Sequence, residues 1–326
     1  MRHIYTFKPL YKQTLWGGRR IMPFKGLPAT ADNVGESWEI SGVKGNETTV
    51  SGGKEDGLTL SELVKKEGAR LVGKENIERF GDEFPLLIKF IDAKEDLSIQ
   101  VHPDDALAYK RHHTNGKTEM WYVVDAEPGA TLLSGFNQEM TPDKYVAAVS
   151  DHTIGSLMNV YEIHSGDVFF LPAGRVHSIG KGAFVAEIQQ TSDITYRIYD
   201  FDRKDKNGKT RELHTELAKD AIDYTYYKDC HQHYTLVHDG CSELVNCKYF
   251  TTDLYDIDKS INVDLSSLDS FVTVIVIEGS ITLDTGKEKI ALSQGSTALV
   301  TADTESMNLI PVGKKAKILT TFIEKH

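Results

Sequence analysis

Apolar and polar positions change their period several times along the chain, and each change marks an element. Through residues 1–50 short apolar and aromatic runs alternate with Gly and Asn. Trp16-Gly17-Gly18 and the segment 35–42 read as turn-bounded β, with Trp38 and Ile40 on one face. At Thr59 the period becomes helical: Thr59 and Glu62 have the spacing of a capping box, Leu60, Leu63 and Val64 make the apolar stripe, and Gly68 ends it. A second amphipathic piece covers 75–80 and stops at Gly81. Residues 85–92 return to strand, an apolar run interrupted by Lys89, which either edges a polar site or snorkels to the surface.

If 98–102 is extended, alternation puts Ser98, Gln100 and His102 on one face and Ile99 and Val101 on the other. Pro103 opens a short helix at its first position. The next strand, 116–123, carries Lys117 and Glu119 on one face and Met120 and Tyr122 on the other. Thr141-Pro142 starts a helix with Tyr145, Val146 and Val149 inward. Strands broken by Gly166, Gly174, Gly180 and Gly182 fill 161–203; Gly166, Pro172, Gly174 and His177 describe a strand, a tight turn and a strand that carries an imidazole early. The charged stretch 204–211 reads as an exposed loop and 213–224 as a helix.

From about residue 234 onward the pattern is short strands with turns at Asp239-Gly240, Glu278-Gly279, Thr285-Gly286 and Gln294-Gly295, a compact sandwich or barrel. Residues 295–302 line up with 166–173, a register that puts Ser306 where His177 stands. This reads as an internal repeat whose second copy lacks the ligand. The expected fold is mostly β with helices inserted in or beside its first part; that it consists of two jelly-roll β-barrels, residues 1–230 catalytic and 231–326 a degenerate barrel without metal ligands, is what resemblance to a known family implies.

Composition removes several function classes. A net charge of −11 disfavours nucleic acid and anionic membrane surfaces as partners, though a local cluster of Lys and Arg still suits a small anionic substrate. No apolar run is long enough to span a bilayer, and the first eighteen residues hold no signal-like apolar stretch, so a cytoplasmic protein is expected, monomer or homodimer. Cys230, Cys241 and Cys247 are odd in number and lack metal-site spacing; they read as reduced thiols.

Gln100, His102, Glu119 and His177 together offer two imidazoles, a carboxylate and an amide oxygen. That donor set suits one Zn²⁺ per chain and could also hold Mn²⁺, Fe²⁺ or Co²⁺. Without cysteine, a closed structural zinc site is disfavoured and a position stays open for water or substrate oxygen. The pairs His112-His113 and His231-x-His233 have no accompanying turn pattern and are assigned surface or structural roles.

The segment from Gly166 to His177 matches the second motif of the cupin superfamily, whose fold is a small jelly-roll barrel. More narrowly, SIQVHPDD, GKTEMWYV, LPAGRVHSIG and ITYRIYDFDR, in that order, resemble the type I phosphomannose isomerases in their shorter bacterial form, along most of the first 215 residues. The resemblance implies that the metal is held by Gln100, His102, Glu119 and His177, and that the family's essential arginine is Arg197. It implies reversible conversion of mannose 6-phosphate to fructose 6-phosphate through a cis-enediolate. Such chemistry needs a base between C1 and C2, charge stabilisation and a phosphate anchor. Arg197 is assigned to the enediolate, Lys117 to the same charge or to the phosphate, and Ser98 and Lys89 to the phosphate. The alternative for Arg197 is an ion pair with Asp200, Asp202 or Glu187. The base stays open among Asp104, Glu187 and His102, and Glu39, Trp16 and Trp38 either line the sugar pocket or belong to the core. Two other readings share the scaffold: an Fe²⁺ oxygenase, which the cations Lys117 and Arg197 argue against, and a non-catalytic sugar-phosphate binder, which would keep every binding group.

Overall fold

Leu86–Asp92 is buried along its whole length, and the way it is buried sets the architecture. Leu86, Ile88 and Phe90 enter a core shared with Ile275, Leu299 and Leu319 from the C-terminal part of the chain, while Leu87 and Ile91 belong to cores on the opposite face. A strand apolar on both sides sits inside a stack of sheets rather than at its surface. The computed structural model describes residues 2–29, 33–204 and 207–324. Its named strands form four antiparallel sheets of seven, six, five and four strands.

The six-stranded sheet runs Val168–Leu171, Glu119–Ala126, Ala183–Gln190, Leu86–Asp92, Val34–Ile40, Leu10–Gln13. The five-stranded sheet runs Tyr196–Tyr199, Ile99–Val101, His177–Ile179, Thr131–Phe136, Met158–Glu162. Trp121, Val123 and Val185 from the first pack against Leu132 and Ile179 from the second, so these two sheets face one another. The outer face of the five-stranded sheet presents Ile99 and Val101 to the helices Pro142–Ser150 and Thr215–Ala221. The alternation expected for 98–102 is therefore realised, with the polar members turned inward.

On the far side of the six-stranded sheet lies the seven-stranded one, followed by the four-stranded sheet that closes the second core. The helix Leu60–Glu67 fills the angle between the first two, its Leu60, Leu63 and Val64 buried and its Thr59–Glu62 capping box formed. The sheets do not divide the chain at residue 230. Ile4–Lys8 is hydrogen-bonded into the seven-stranded sheet, Ile4 opposite Val300, and Thr49–Val50 follows it at the edge. Met1, residues 30–32, Asp205, Lys206 and the last two residues lie outside the described residues.

Local corrections are small. Asp104, not Pro103, begins the next helix, Asp105–His112: its side chain accepts from the Leu107 N–H at 2.8 Å, leaving the proline before the cap. The helix expected over 213–224 is Thr215–Ala221. Within the stretch read as an exposed loop, Lys204 and Thr210 form an isolated antiparallel bridge. None of the three cysteines is in a disulfide, and no helix among the described residues is long and apolar enough to cross a membrane.

One buried acid makes a stability prediction. Asp253 lies within Phe250–Ile257, where burial lifts its carboxyl to about 6, Glu243 and Glu324 adding to the rise and a Cys241 hydrogen bond opposing it. A folded pKa above the unfolded value of about 3.9 means that the fold favours the protonated acid. This contribution is full below the unfolded pKa, is lost as pH rises toward 6 and is absent above it. Asp253→Asn is expected to stabilise the protein at pH 7.5 by on the order of 1–2 kcal/mol, from about 1.4 kcal/mol per pKa unit, and to do little at pH 4. Equal urea midpoints for variant and parent at pH 7.5 would sink it.

Candidate metal centre and cleft

Across the five-stranded sheet, Arg197, Gln100, His177 and Ser134 are successive cross-strand partners, so their side chains share the inward face. His102 follows directly on the same strand, and Glu119 arrives from the six-stranded sheet opposite. His102 Nε2 lies 3.4 Å from one Glu119 oxygen and His177 Nε2 3.2 Å from the other. Gln100 Nε2 is 3.3 Å from His177 Nε2, and half a turn of its amide would bring the oxygen to the same place.

The hydrogen-bond partners fix what these atoms present. A carbonyl oxygen only accepts, so His102 Nδ1–H donates to the Ile194 carbonyl at 2.9 Å and His177 Nδ1–H to the Arg175 carbonyl at 2.8 Å. Both Nε2 atoms then turn lone pairs toward a carboxylate that has only lone pairs to offer. Burial, aided by Lys117, pushes His102 down to about 3, and burial lowers His177 too, so neither ring carries a bridging proton at neutral pH. Burial would lift Glu119, but Lys117 and the two imidazoles outweigh it and hold the carboxyl well below its usual range. Apart from the Lys117 ion pair at 3.3 Å, both Glu119 oxygens and His102 Nε2 are buried without a hydrogen-bond partner. Acceptors gathered within 4.8 Å of one another, each oriented from behind by a carbonyl or a cation, make a cage for a positive ion. His102, Glu119 and His177 are a metal-binding group.

Beside the cage opens a cleft of about 300 Å³ between the facing sheets. One wall is a second row of cross-strand partners: Trp121, Glu187, Lys89 and Trp38. Trp121 Nε1–H donates to Glu187 at 2.9 Å, Lys89 Nζ meets the other oxygen at 3.1 Å, and the ammonium stands 4.9 Å over the Trp38 ring. Lys89 is thus paired and buried rather than snorkelling. Burial works against its charge, yet Glu187 and Glu36 hold its pKa above the ordinary lysine value. Ser98 and Lys89 lie on facing sheets rather than on adjacent strands, and both line the cleft with Lys117 and Gln100.

Arg197 lines it as well, and the ion pair weighed for it is not there. Asp200 is taken by Arg211, at 2.7 and 2.5 Å, and by Arg203 at 3.4 Å. Arg197 keeps one side-chain bond, Nη1–H to the Glu212 carbonyl at 3.0 Å, while its Nε is buried without a partner. Burial and the neighbouring Arg211 charge lower its pKa. Trp16 and Trp38 line the cleft; Glu39 faces away and pairs with Lys25 at 2.8 Å. Of the three bases weighed, Asp104 caps a helix elsewhere, His102 is turned to Glu119, and Glu187 stands on the cleft wall.

Sequence reasoning missed Glu36, Asp193, Thr195, Arg211 and His214, all in the wall. Glu36 and Thr195 were within reach of the alternation that carries Trp38 and Arg197. Arg211 ends the charged stretch read as an exposed loop, and His214, in the segment read as helix, is the N-cap of Thr215–Ala221; neither has a strand period to read.

Comparison with known proteins adds a second line of observation. Residues 4–134 match the family described as phosphomannose isomerase type I, catalytic domain, and residues 241–318 match the mannose-6-phosphate isomerase cupin domain. The chain is 35% identical over 299 residues to the mannose-6-phosphate isomerase ManA of Bacillus subtilis, covering 90% of this chain and 91% of that one. It is 34% identical to the mannose-6-phosphate isomerase of Streptococcus mutans, covering 88% and 90%. The crystal structure of mannose 6-phosphate isomerase from Bacillus subtilis superposes with a TM-score of 0.87 at 30% identity, covering 98% of this chain and 99% of that one.

Proposed function

The chain belongs to the type I phosphomannose isomerases, and on that premise we propose that mannose 6-phosphate and fructose 6-phosphate are interconverted in the cleft beside the metal-binding group. The observation that carries this is the juxtaposition of buried acceptor atoms with a guanidinium, one strand away, that has no ion pair among the described residues.

Gln100 joins His102, Glu119 and His177 as the fourth ligand, and the nitrogen and oxygen donors suit Zn²⁺. When bound, the ion supplies Lewis-acid charge for the sugar oxygens at C1 and C2. Arg197, next to Gln100 and without a carboxylate of its own, turns its planar fork to the negative charge that develops on the enediolate. Lys117 stands at the same depth and adds positive potential. Ser98 and Lys89, on opposite walls, hold the phosphate, Trp38 beneath the ammonium keeping it in place. The substrate is a soluble sugar phosphate, and the enzyme works in the cytoplasm.

We read the five- and six-stranded pair as a catalytic jelly roll within residues 1–230, and the seven- and four-stranded pair, built from 231–326 with Ile4–Lys8 and Thr49–Val50 added at one edge, as a degenerate second one. Supporting this, Val168–Leu171 followed by the strand at His177 recurs in the same register as Thr297–Val300 followed by the strand at Ser306. Gly166 and Gly295 take the same left-handed conformation before each.

Turnover of mannose 6-phosphate, assayed with chelator and with Zn²⁺, Mn²⁺ or Co²⁺ added back, tests the proposal. Loss on chelation and recovery on re-addition are expected. Full activity after the metal has been removed would overturn the metal's part, and tight binding without turnover would favour the non-catalytic reading.

A further inference from the structure

Tyr196–Tyr199 is the edge strand of the five-stranded sheet, so Arg197 has a backbone N–H and a carbonyl with no strand beside them. His214 takes the place of that strand. Its own N–H donates to the Arg197 carbonyl at 2.7 Å, and its ring Nδ1 accepts from the Arg197 N–H at 3.0 Å, which puts the imidazole proton on Nε2. Two residues earlier, the Glu212 carbonyl receives Arg197 Nη1–H at 3.0 Å. Three hydrogen bonds thus join one short segment to a single residue, and one of them is made by a side chain where a backbone carbonyl would ordinarily serve. The guanidinium has no ion pair among the described residues to orient it, so this segment is what holds it.

We propose that His214 is a positioning residue for Arg197: by capping the free sheet edge through Nδ1, it sets the backbone of Arg197 and brings the Glu212 carbonyl to its guanidinium. The inference rests on the isomerase reading above, in which Arg197 faces the developing charge. Arg211 and His214 also line the cleft wall, while the described residues of the charged stretch before them stay exposed, as expected.

Asparagine and glutamine at position 214 separate the ring's two nitrogens. In His214→Asn the amide oxygen falls where Nδ1 was; in His214→Gln it falls nearer the place of Nε2. With metal content and Tm measured for each, His214→Asn is expected to keep kcat within about threefold of the parent. His214→Gln is expected to lose at least about tenfold in kcat with little change in KM, as misplacement of a charge-stabilising group does. In an Arg197→Ala background the same His214→Gln change should cost nothing further. Equal loss in the Asn and Gln variants, or an unchanged loss in the Arg197→Ala background, overturns the proposal. A parent enzyme that does not turn over mannose 6-phosphate would overturn the isomerase reading itself, a result these ratios do not produce. If His214→Gln fails to fold, the Asn variant decides alone: a tenfold loss of kcat at parental Tm and metal content refutes the role of Nδ1.

Discussion

Glu119→Ala is expected to leave the protein without its metal and to lower kcat/KM for mannose 6-phosphate by about a thousandfold or more, the loss of several kcal/mol of transition-state charge stabilisation. The carboxylate is the sole anion of the cage; the two imidazoles that remain are neutral at working pH because burial keeps them so. The substitution has a second effect, on stability. Lys117 is buried, with Glu119 at 3.3 Å as its counter-ion, and removing one partner of a buried pair costs about 3–5 kcal/mol. Tm in the presence of chelator, where metal linkage is held fixed, should therefore fall as well. Adding Lys117→Met removes the stranded charge and should restore most of the Tm while restoring neither metal nor activity. An isolated Glu119→Ala protein that still carries stoichiometric metal would refute the cage.

Arg197→Ala should behave in the opposite way where stability is concerned. Its metal content should match the parent, and kcat should drop by about a hundred- to a thousandfold, the usual effect of deleting one donor aimed at developing negative charge. Arg197→Lys should recover little, because an ammonium cannot reproduce a planar two-pronged donor. Yet Arg197 is a half-buried cation with no carboxylate partner among the described residues and with Arg211 close enough to lower its pKa. Removing it relieves that repulsion, so Tm should hold or rise. The contrast between the two variants, one losing stability with activity and the other losing activity alone, follows from which of the two charges is paired. A nearly intact kcat/KM in Arg197→Ala would take the guanidinium out of the mechanism.

Much of the site was legible because it is built on strands. The alternation of Ser98, Gln100 and His102 against Ile99 and Val101 survives folding, since the outer face has helices to pack on and the inner face has a cleft. Lys89 was legible as an anomaly, although its resolution, a pair with Glu187 98 residues later, depends on a register that no local pattern reveals. The helix at 59–68 could be read down to its cap, because the capping box is a contact between near neighbours. What could not be read is what the loop at 204–214 does. Its charged composition fits exposure, and its return to the edge of Arg197 depends on a vacancy in sheet pairing that exists only after the sheet has formed. The membership of Ile4–Lys8 was hidden for the same reason: five residues with strand character carry no mark of which sheet they will join.

That first strand has a bearing on how the molecule is made. Ile4 and its partner Val300 stand 296 residues apart in the sequence, so one is synthesised long before the other. Contacts of such sequence separation form slowly, since almost the whole chain must be looped to close them. During synthesis Ile4–Lys8 therefore has Thr49–Val50 on one side long before Thr297–Val300 can join it on the other, and that side of the sheet closes late.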